Sequence, residues 1–193
     1  KQKRLLDALP DFDLAIARNR EYFQFYLQRG LIKQQMRDAS ARADLEKSVA
    51  LLPTAIGHLA LGDETLRHND KESAKQHFAA AAQSESEAGK RALFQLARLD
   101  LGEHPEKYIG VDATRDARGF IMISVQNRSP VKIKNLKIAV ALFNPAGQVA
   151  MQDSLSMAAV LDPRASITES TRIGPLPTDQ DLRRVRVKIF SAE

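Results

Sequence analysis

The sequence predicts a multidomain α plus β chain, with an N-terminal α-α superhelix of helix pairs over residues 1–104 and a C-terminal antiparallel β-sandwich over 105–193. Three observations predict this. Up to about residue 101 only Pro10 and Pro53 of the eight prolines occur and apolar residues recur at spacings of three and four, the period of a helix. From about 106 the spacing falls to two, as in Ile121-Ile123-Val125, Leu136-Ile138-Val140-Leu142 and Val185-Val187-Ile189, the period of a strand. Between them, Leu101-Gly-Glu-His-Pro105 joins a helix-ending glycine to a helix-stopping proline and marks the domain boundary.

The first element, Pro10 to Asn19, reads as the second helix of a pair whose first helix is missing or truncated. The helical half then repeats. Leu27-Gln-Arg-Gly30 and Leu59-Ala-Leu-Gly62 lie 32 residues apart, and each precedes a second helix with small or apolar residues at i, i+4 and i+7. These are Ala41, Leu45 and Ser48 in the first copy and Ala74, Phe78 and Ala81 in the second. A helix-turn-helix period in the low thirties resembles the tetratricopeptide repeat. Leu61, Gly62, Ala74, Phe78 and Ala81 fall where that motif has Leu-Gly and its later small-large-small series. Gly62 is read as allowing close helix approach, with Phe78 filling the space between the pair. The first copy departs from the motif in having Arg29 for the leucine and a turn one residue shorter. Ser86 to Leu101 reads as a single amphipathic capping helix, with Ala92, Leu93, Leu96 and Ala97 opposite Lys90, Arg91 and Arg98.

In the second half, strands are expected near 107–113, 119–127, 131–143, 148–152, 154–160, 165–173 and 183–190. Asn144-Pro-Ala-Gly147 has the composition of a tight turn. The alternation slips at Asn135-Leu136, which predicts a bulge or a change of sheet. Short strands with turn signals every 8–12 residues suggest an immunoglobulin-like sandwich, although the absent Cys and Trp exclude a true antibody-type domain.

Composition narrows the chemistry. The 193 residues carry 29 Lys+Arg against 24 Asp+Glu, a formal charge of +5, and no Cys, so thiolate zinc, iron–sulfur and cysteine-nucleophile chemistry are excluded. No apolar run is long enough to span a bilayer, so no transmembrane segment is expected. The opening Lys-Gln-Lys-Arg, without Met or a signal region, reads as part of a longer chain. His58, His68, His77 and His104 form no His-Glu-x-x-His, and there is no phosphate loop or nucleophile elbow. No cofactor, metal ligand or catalytic residue is therefore expected in this segment. Asp11/Asp13 and Glu85/Glu87 read as helix-start carboxylates. Arg183, Arg184, Arg186 and Lys188 read as a solvated strand face rather than a nucleic-acid surface, because no aromatic stacking partners accompany them. Lys132, Lys134 and Lys137 read as exposed strand charges, and Asn127-Arg-Ser129 reads as a turn rather than a glycosylation site.

In the repeat the first helices line the concave face. Carried over by position, a partner-binding groove would comprise Gln24, Leu27, Leu31, Gln34, Gln35, Ile56, Leu59, Asp63, Leu66 and Arg67. Such a mixture of amides and single charges on an apolar floor suits an extended peptide or a partner helix. Gln34→Ala with Arg67→Ala is then expected to weaken capture without disturbing folding. The cluster Tyr22, Phe23, Phe25 and Tyr26 covers most of a helix circumference, so it divides between core and groove.

The stretches Arg42-Ala-Asp-Leu-Glu-Lys-Ser-Val-Ala-Leu-Leu-Pro-Thr54 and Leu96-Ala-Arg-Leu-Asp-Leu-Gly-Glu-His-Pro-Glu-Lys-Tyr108 flank the Leu-Gly repeat. Over residues 10–110 the chain resembles the C-terminal tails of bacterial His-Glu-x-x-His zinc metallopeptidases of the β-barrel assembly-enhancing protease class. The resemblance implies a periplasmic or cell-envelope peptidase whose tail recruits substrates or assembly partners, with the zinc domain upstream of this segment. Two other readings stand beside it: a stand-alone scaffold or assembly factor of the cell envelope, and an enzyme using Glu103, His104 and Asp112.

Overall fold

A computed structural model describes residues 2–192: six α-helices followed by two three-stranded antiparallel sheets, an α plus β chain. It divides into two compact units, residues 1–96 and 97–193.

The first unit holds α1 (Gln2–Arg18), α2 (Phe23–Gln35), α3 (Ala41–Leu51), α4 (Ala55–Arg67), α5 (Lys71–Ala81) and most of α6 (Glu87–Asp100). Helix α1 does not begin at Pro10 but runs through it. Pro10 lies on the exposed side, where the carbonyl left without its N–H partner is open to solvent. Asp11 and Asp13 are consequently mid-helix residues, and Asp13 pairs with Arg29 at 2.5 Å instead of serving a helix start.

Helices α2 and α3 form one pair and α4 and α5 the next, with α3 against α4 and α2 touching α4. Both pairs are locked in the same way. A Cβ on Gly30 would meet Leu45 Cγ at 2.9 Å, and one on Gly62 would meet Phe78 Cε1 at 2.4 Å, so neither crossing admits a side chain. Ala41, Leu45 and Ser48 of α3, and Ala74, Phe78 and Ala81 of α5, are all fully buried. The turns within the pairs also correspond. Arg37 and Asn69 both adopt left-handed φ, 60° and 62°. In each, two N–H groups reach back to close the helix: Arg37 to Gln34 O and Asp38 to Lys33 O, then Asn69 to Leu66 O and Asp70 to Thr65 O. This Schellman arrangement satisfies carbonyls that the helix end leaves open. Thr54 and Asp70 cap the starts of α4 and α5 by accepting from Gly57 N and Ser73 N, both at 3.1 Å.

Arg29, where a tetratricopeptide repeat would have a leucine, pairs with a buried charge. Its Nε and Nη2 donate to the two carboxylate oxygens of buried Asp44 on α3 at 2.8 and 2.5 Å, and Lys33 Nζ adds a third contact at 2.8 Å. Bidentate pairing of this kind offsets the cost of burying the carboxylate. In α6 the buried positions are Gly89, Ala92, Ala97 and Asp100, whereas Leu93, expected on the inner face, is 41% exposed.

The second unit contains β1 (Ile109–Arg115), β2 (Ile121–Asn127), β3 (Leu136–Phe143), β4 (Val149–Met157), β5 (Ser166–Ser170) and β6 (Val185–Ser191), with orders β1-β2-β5 and β4-β3-β6. Alternate residues Ile121, Ile123 and Val125 of the first sheet and Leu136, Ile138, Val140 and Leu142 of the second share one core cluster with Tyr108, Ile133, Leu161 and Ile173. Among the described residues six strands form, not seven. The segments expected at 148–152 and 154–160 are one continuous β4, which pairs along all of β3 and carries Asp153 within it opposite Val140. Residues 131–135 leave the ladder apart from the isolated pair Ile133 and Leu161, and Asn135 at φ 54° turns the chain into β3. The Asn144–Gly147 turn closes with Gly147 N on Asn144 O at 3.0 Å and Gly147 at φ 80°, a conformation suited to glycine. Asn127 is fully buried and braces a turn, its Nδ2 donating to Val131 O and Leu161 O and its Oδ1 accepting from Ser129 N and Oγ.

Candidate functional site

The surface expected to bind a partner lies on α2 and α4, and its ten positions form five equivalent pairs at the 32-residue repeat offset. The structure sorts them into three groups. Leu27 and Leu59 are 4% and 6% exposed and belong to the interior; Leu27 packs with Leu45, Ala60 and Leu61, and Leu31 lies against that cluster half-buried. Leu27 and Leu59 share the buried stripe of their helices with Gly30 and Gly62, three residues further on, so an apolar residue there enters the core.

Gln34 and Arg67 are structural ties. Gln34 Nε2 donates to Ala60 O at 2.8 Å and Glu64 Oε2 at 3.3 Å, joining the two first helices. Arg67 is hydrogen-bonded to Glu64, and His68 Nε2 approaches the other carboxylate oxygen at 3.3 Å. Glu64 is only 1% exposed, so this cation and amide shell holds a carboxylate that water does not reach. A depression of about 360 Å³ opens here, lined by Arg37, Asp38, Ala39, Glu64, Arg67 and His68. The sequence reading missed Glu64. Its i+3 and i+4 spacing to Arg67 and His68 was available as a signal, but contact with Gln34 comes only from packing.

Gln24, Gln35 and Ile56 remain at the surface, with Asp63 and Leu66 half-buried. Ile56 is 44% exposed, a large apolar side chain left open on α4. Gln24 accepts from Tyr22 Oη at 2.7 Å, and Tyr22 stacks edge-on against Phe25 at 4.8 Å. Tyr26 is buried and Phe23 packs on the core, so the aromatic cluster does divide, with Tyr22 as its open member. Burial raises the Asp63 carboxyl above its ordinary range, against the opposing pull of Arg91 and Arg67.

In the second unit, the oxygen or nitrogen ligand atoms of Asp100, Glu103 and His104 lie within 4.8 Å of one another. Asp112 of β1 is not in that group. The Asp100 carboxylate already accepts from Lys107 Nζ at 2.9 Å and Tyr108 Oη at 3.2 Å. Burial opposes its ionisation, yet these partners hold its pKa below the usual carboxylate range. Of the basic stripe, Arg186 and Lys188 lie exposed on edge strand β6, whereas Arg183 and Arg184 precede it in a 3₁₀ turn (Asp179–Arg184); Arg184 is paired with Asp181, and Arg186 Nη1 donates to the carbonyls of Arg183 and Val185. Lys132, Lys134 and Lys137 are exposed.

No described helix is long and apolar enough to cross a membrane. No family model, no curated protein and no solved structure matches the chain.

Proposed function

We propose that this segment is a non-catalytic protein-binding module, in which two tetratricopeptide-like pairs present the α2 and α4 surface to an extended peptide or partner helix, followed by an immunoglobulin-like sandwich. The duplicated glycine lock, Gly30 on Leu45 and Gly62 on Phe78, carries this reading, since it sets two equivalent first helices side by side. The accessible surface is narrower than the sequence alone suggests: Gln24, Gln35, Ile56, Asp63 and Leu66, with Tyr22 at its margin. The tail-like stretches at 42–54 and 96–108 support its placement in a periplasmic or cell-envelope zinc metallopeptidase, as the recruiting region of that enzyme.

A photocrosslinking side chain at Gln24 or Ile56, introduced into the native protein in its source cell, should yield a discrete adduct. The same group at exposed Ala50 of α3 should not, and adding Ile56→Asp should abolish the Gln24 adduct. Equal labelling at all three sites would overturn the groove. Isolation of the native polypeptide tests the parent enzyme separately. A mass far above 21.4 kDa with about one zinc per chain supports the peptidase assignment, and a zinc-free chain near 21.4 kDa makes the module a free-standing scaffold.

A further inference from the structure

His58 and His77 are 19 residues apart, too far for the i, i+4 pairing that marks a helical metal site in sequence. Packing of α4 on α5 brings their Nδ1 atoms to 3.2 Å, with the ring centroids 5.5 Å apart and both side chains half-buried. Two imidazole nitrogens bound to one ion at about 2.0–2.1 Å lie about 2.9 Å apart at a right angle and about 3.4 Å apart at the tetrahedral angle. The observed separation falls between these values. The rings stand on two helices whose approach is set by Gly62 and Phe78, and one Nδ1 donates to the other at 3.2 Å, so an ion bound by both displaces that proton.

We propose that His58 and His77 form a bidentate site for an imidazole-preferring divalent transition metal, Cu²⁺ ahead of Ni²⁺ or Zn²⁺, that clamps α4 to α5. Imidazole suits these ions, and the order follows their general affinity for nitrogen ligands. Among the described residues, no third His, Asp or Glu ligand atom completes a cluster here, so the remaining positions belong to water. Such a site suits a tetragonal cupric ion better than a closed structural zinc. The charges around the pair are Arg42 and Glu46 of α3, which bond to each other at 2.7 Å, and Asp70 at the start of α5.

The test uses the whole chain after chelator treatment, titrated with Cu²⁺. One equivalent should bind, and at a hundredfold excess over Kd the Tm should rise by about 5 °C or more. Substoichiometric Cu²⁺ should broaden the ring-proton resonances of His58 and His77 before those of His68 and His104. His58→Gln and His77→Gln should each lower affinity at least tenfold, while His104→Ala leaves it unchanged. The site is overturned if the ring signals of His68 or His104 broaden first, if binding survives the double glutamine variant, or if Cu²⁺ leaves Tm unmoved. The ring-signal experiment needs only the unaltered protein, so it decides the matter even where a variant fails to fold.

Discussion

Gly62→Ala adds one methyl group at the crossing of α4 and α5. That methyl would lie 2.4, 2.6 and 3.0 Å from three ring atoms of Phe78, where ordinary contact begins at 3.4 Å. Phe78 is fully buried, so the ring has no open direction in which to retreat. Alanine gains about 1 kcal/mol over glycine in helix propensity, but overpacking of this kind costs about 1–3 kcal/mol, and an overlap approaching 1 Å on a rigid ring belongs at the upper end. A net loss of about 1–2 kcal/mol is expected. For a cooperative unit of about 100 residues, each kcal/mol lowers Tm by roughly 4–8 °C. Thermal and urea unfolding followed by circular dichroism would measure it. Gly30→Ala, whose methyl would meet the more adaptable Leu45 at 2.9 Å, should cost less, and Gly102→Ala, with nothing within 4 Å, should be neutral or slightly stabilising. Shortening the ring should relieve the clash, so Gly62→Ala with Phe78→Leu should be more stable than the sum of the single changes by at least about 0.5 kcal/mol. A neutral or stabilising Gly62→Ala, or strict additivity in the pair, would refute the close approach on which the repeat reading depends.

The same structure yields four shorter predictions. Gln34→Ala with Arg67→Ala was expected from sequence to spare folding, but it strips two of three partners from buried Glu64 and should cost about 2–4 kcal/mol by denaturant melt; retained stability would show that Glu64 needs neither. Ser48 Oγ is buried without a hydrogen-bond partner, at the position equivalent to Ala81, so Ser48→Ala should stabilise by about 1 kcal/mol, and a loss would reveal a partner for the hydroxyl. Arg37→Gly relieves a left-handed residue at the α2 terminus and should raise stability by about 1 kcal/mol, with an unchanged midpoint in urea counting against that backbone conformation. Asp116 accepts from Phe120 N and Arg118 N at 2.8 and 2.9 Å, and these bonds, the first above all, hold its carboxyl below its ordinary pKa. A depressed folded-state pKa gives stability that is present above the unfolded value near 3.9 and lost as pH falls through the folded one. Asp116→Asn should therefore flatten the acid limb of the stability curve below about pH 4, and identical acid limbs would exclude this contribution.

The division into helical and strand halves was legible because it rests on local periodicity: a side chain's face is set by its spacing along one element. The glycine lock was legible too, since Gly62, Ala74 and Phe78 announce a close crossing by size alone. Boundaries set by partners were not. Strands are expected separately at 148–152 and 154–160, yet β4 runs on through Asp153 because β3 offers it a full ladder and Arg172 N donates to the Asp153 carboxylate at 2.7 Å.

The candidate site divides along the same line. By itself the sequence placed the candidate positions on α2 and α4 and at the repeat offset. Only the tertiary structure decided that Leu27 and Leu59 belong to the interior, that Gln34 and Arg67 are committed to Glu64, that Arg29 answers Asp44, and that His58 meets His77. Each of these depends on side chains far apart in the chain, whose meeting is fixed by how two helices cross. Periodicity specifies which face a residue occupies, but the crossing specifies what stands opposite it, and that is where a buried charge or imidazole finds its partner.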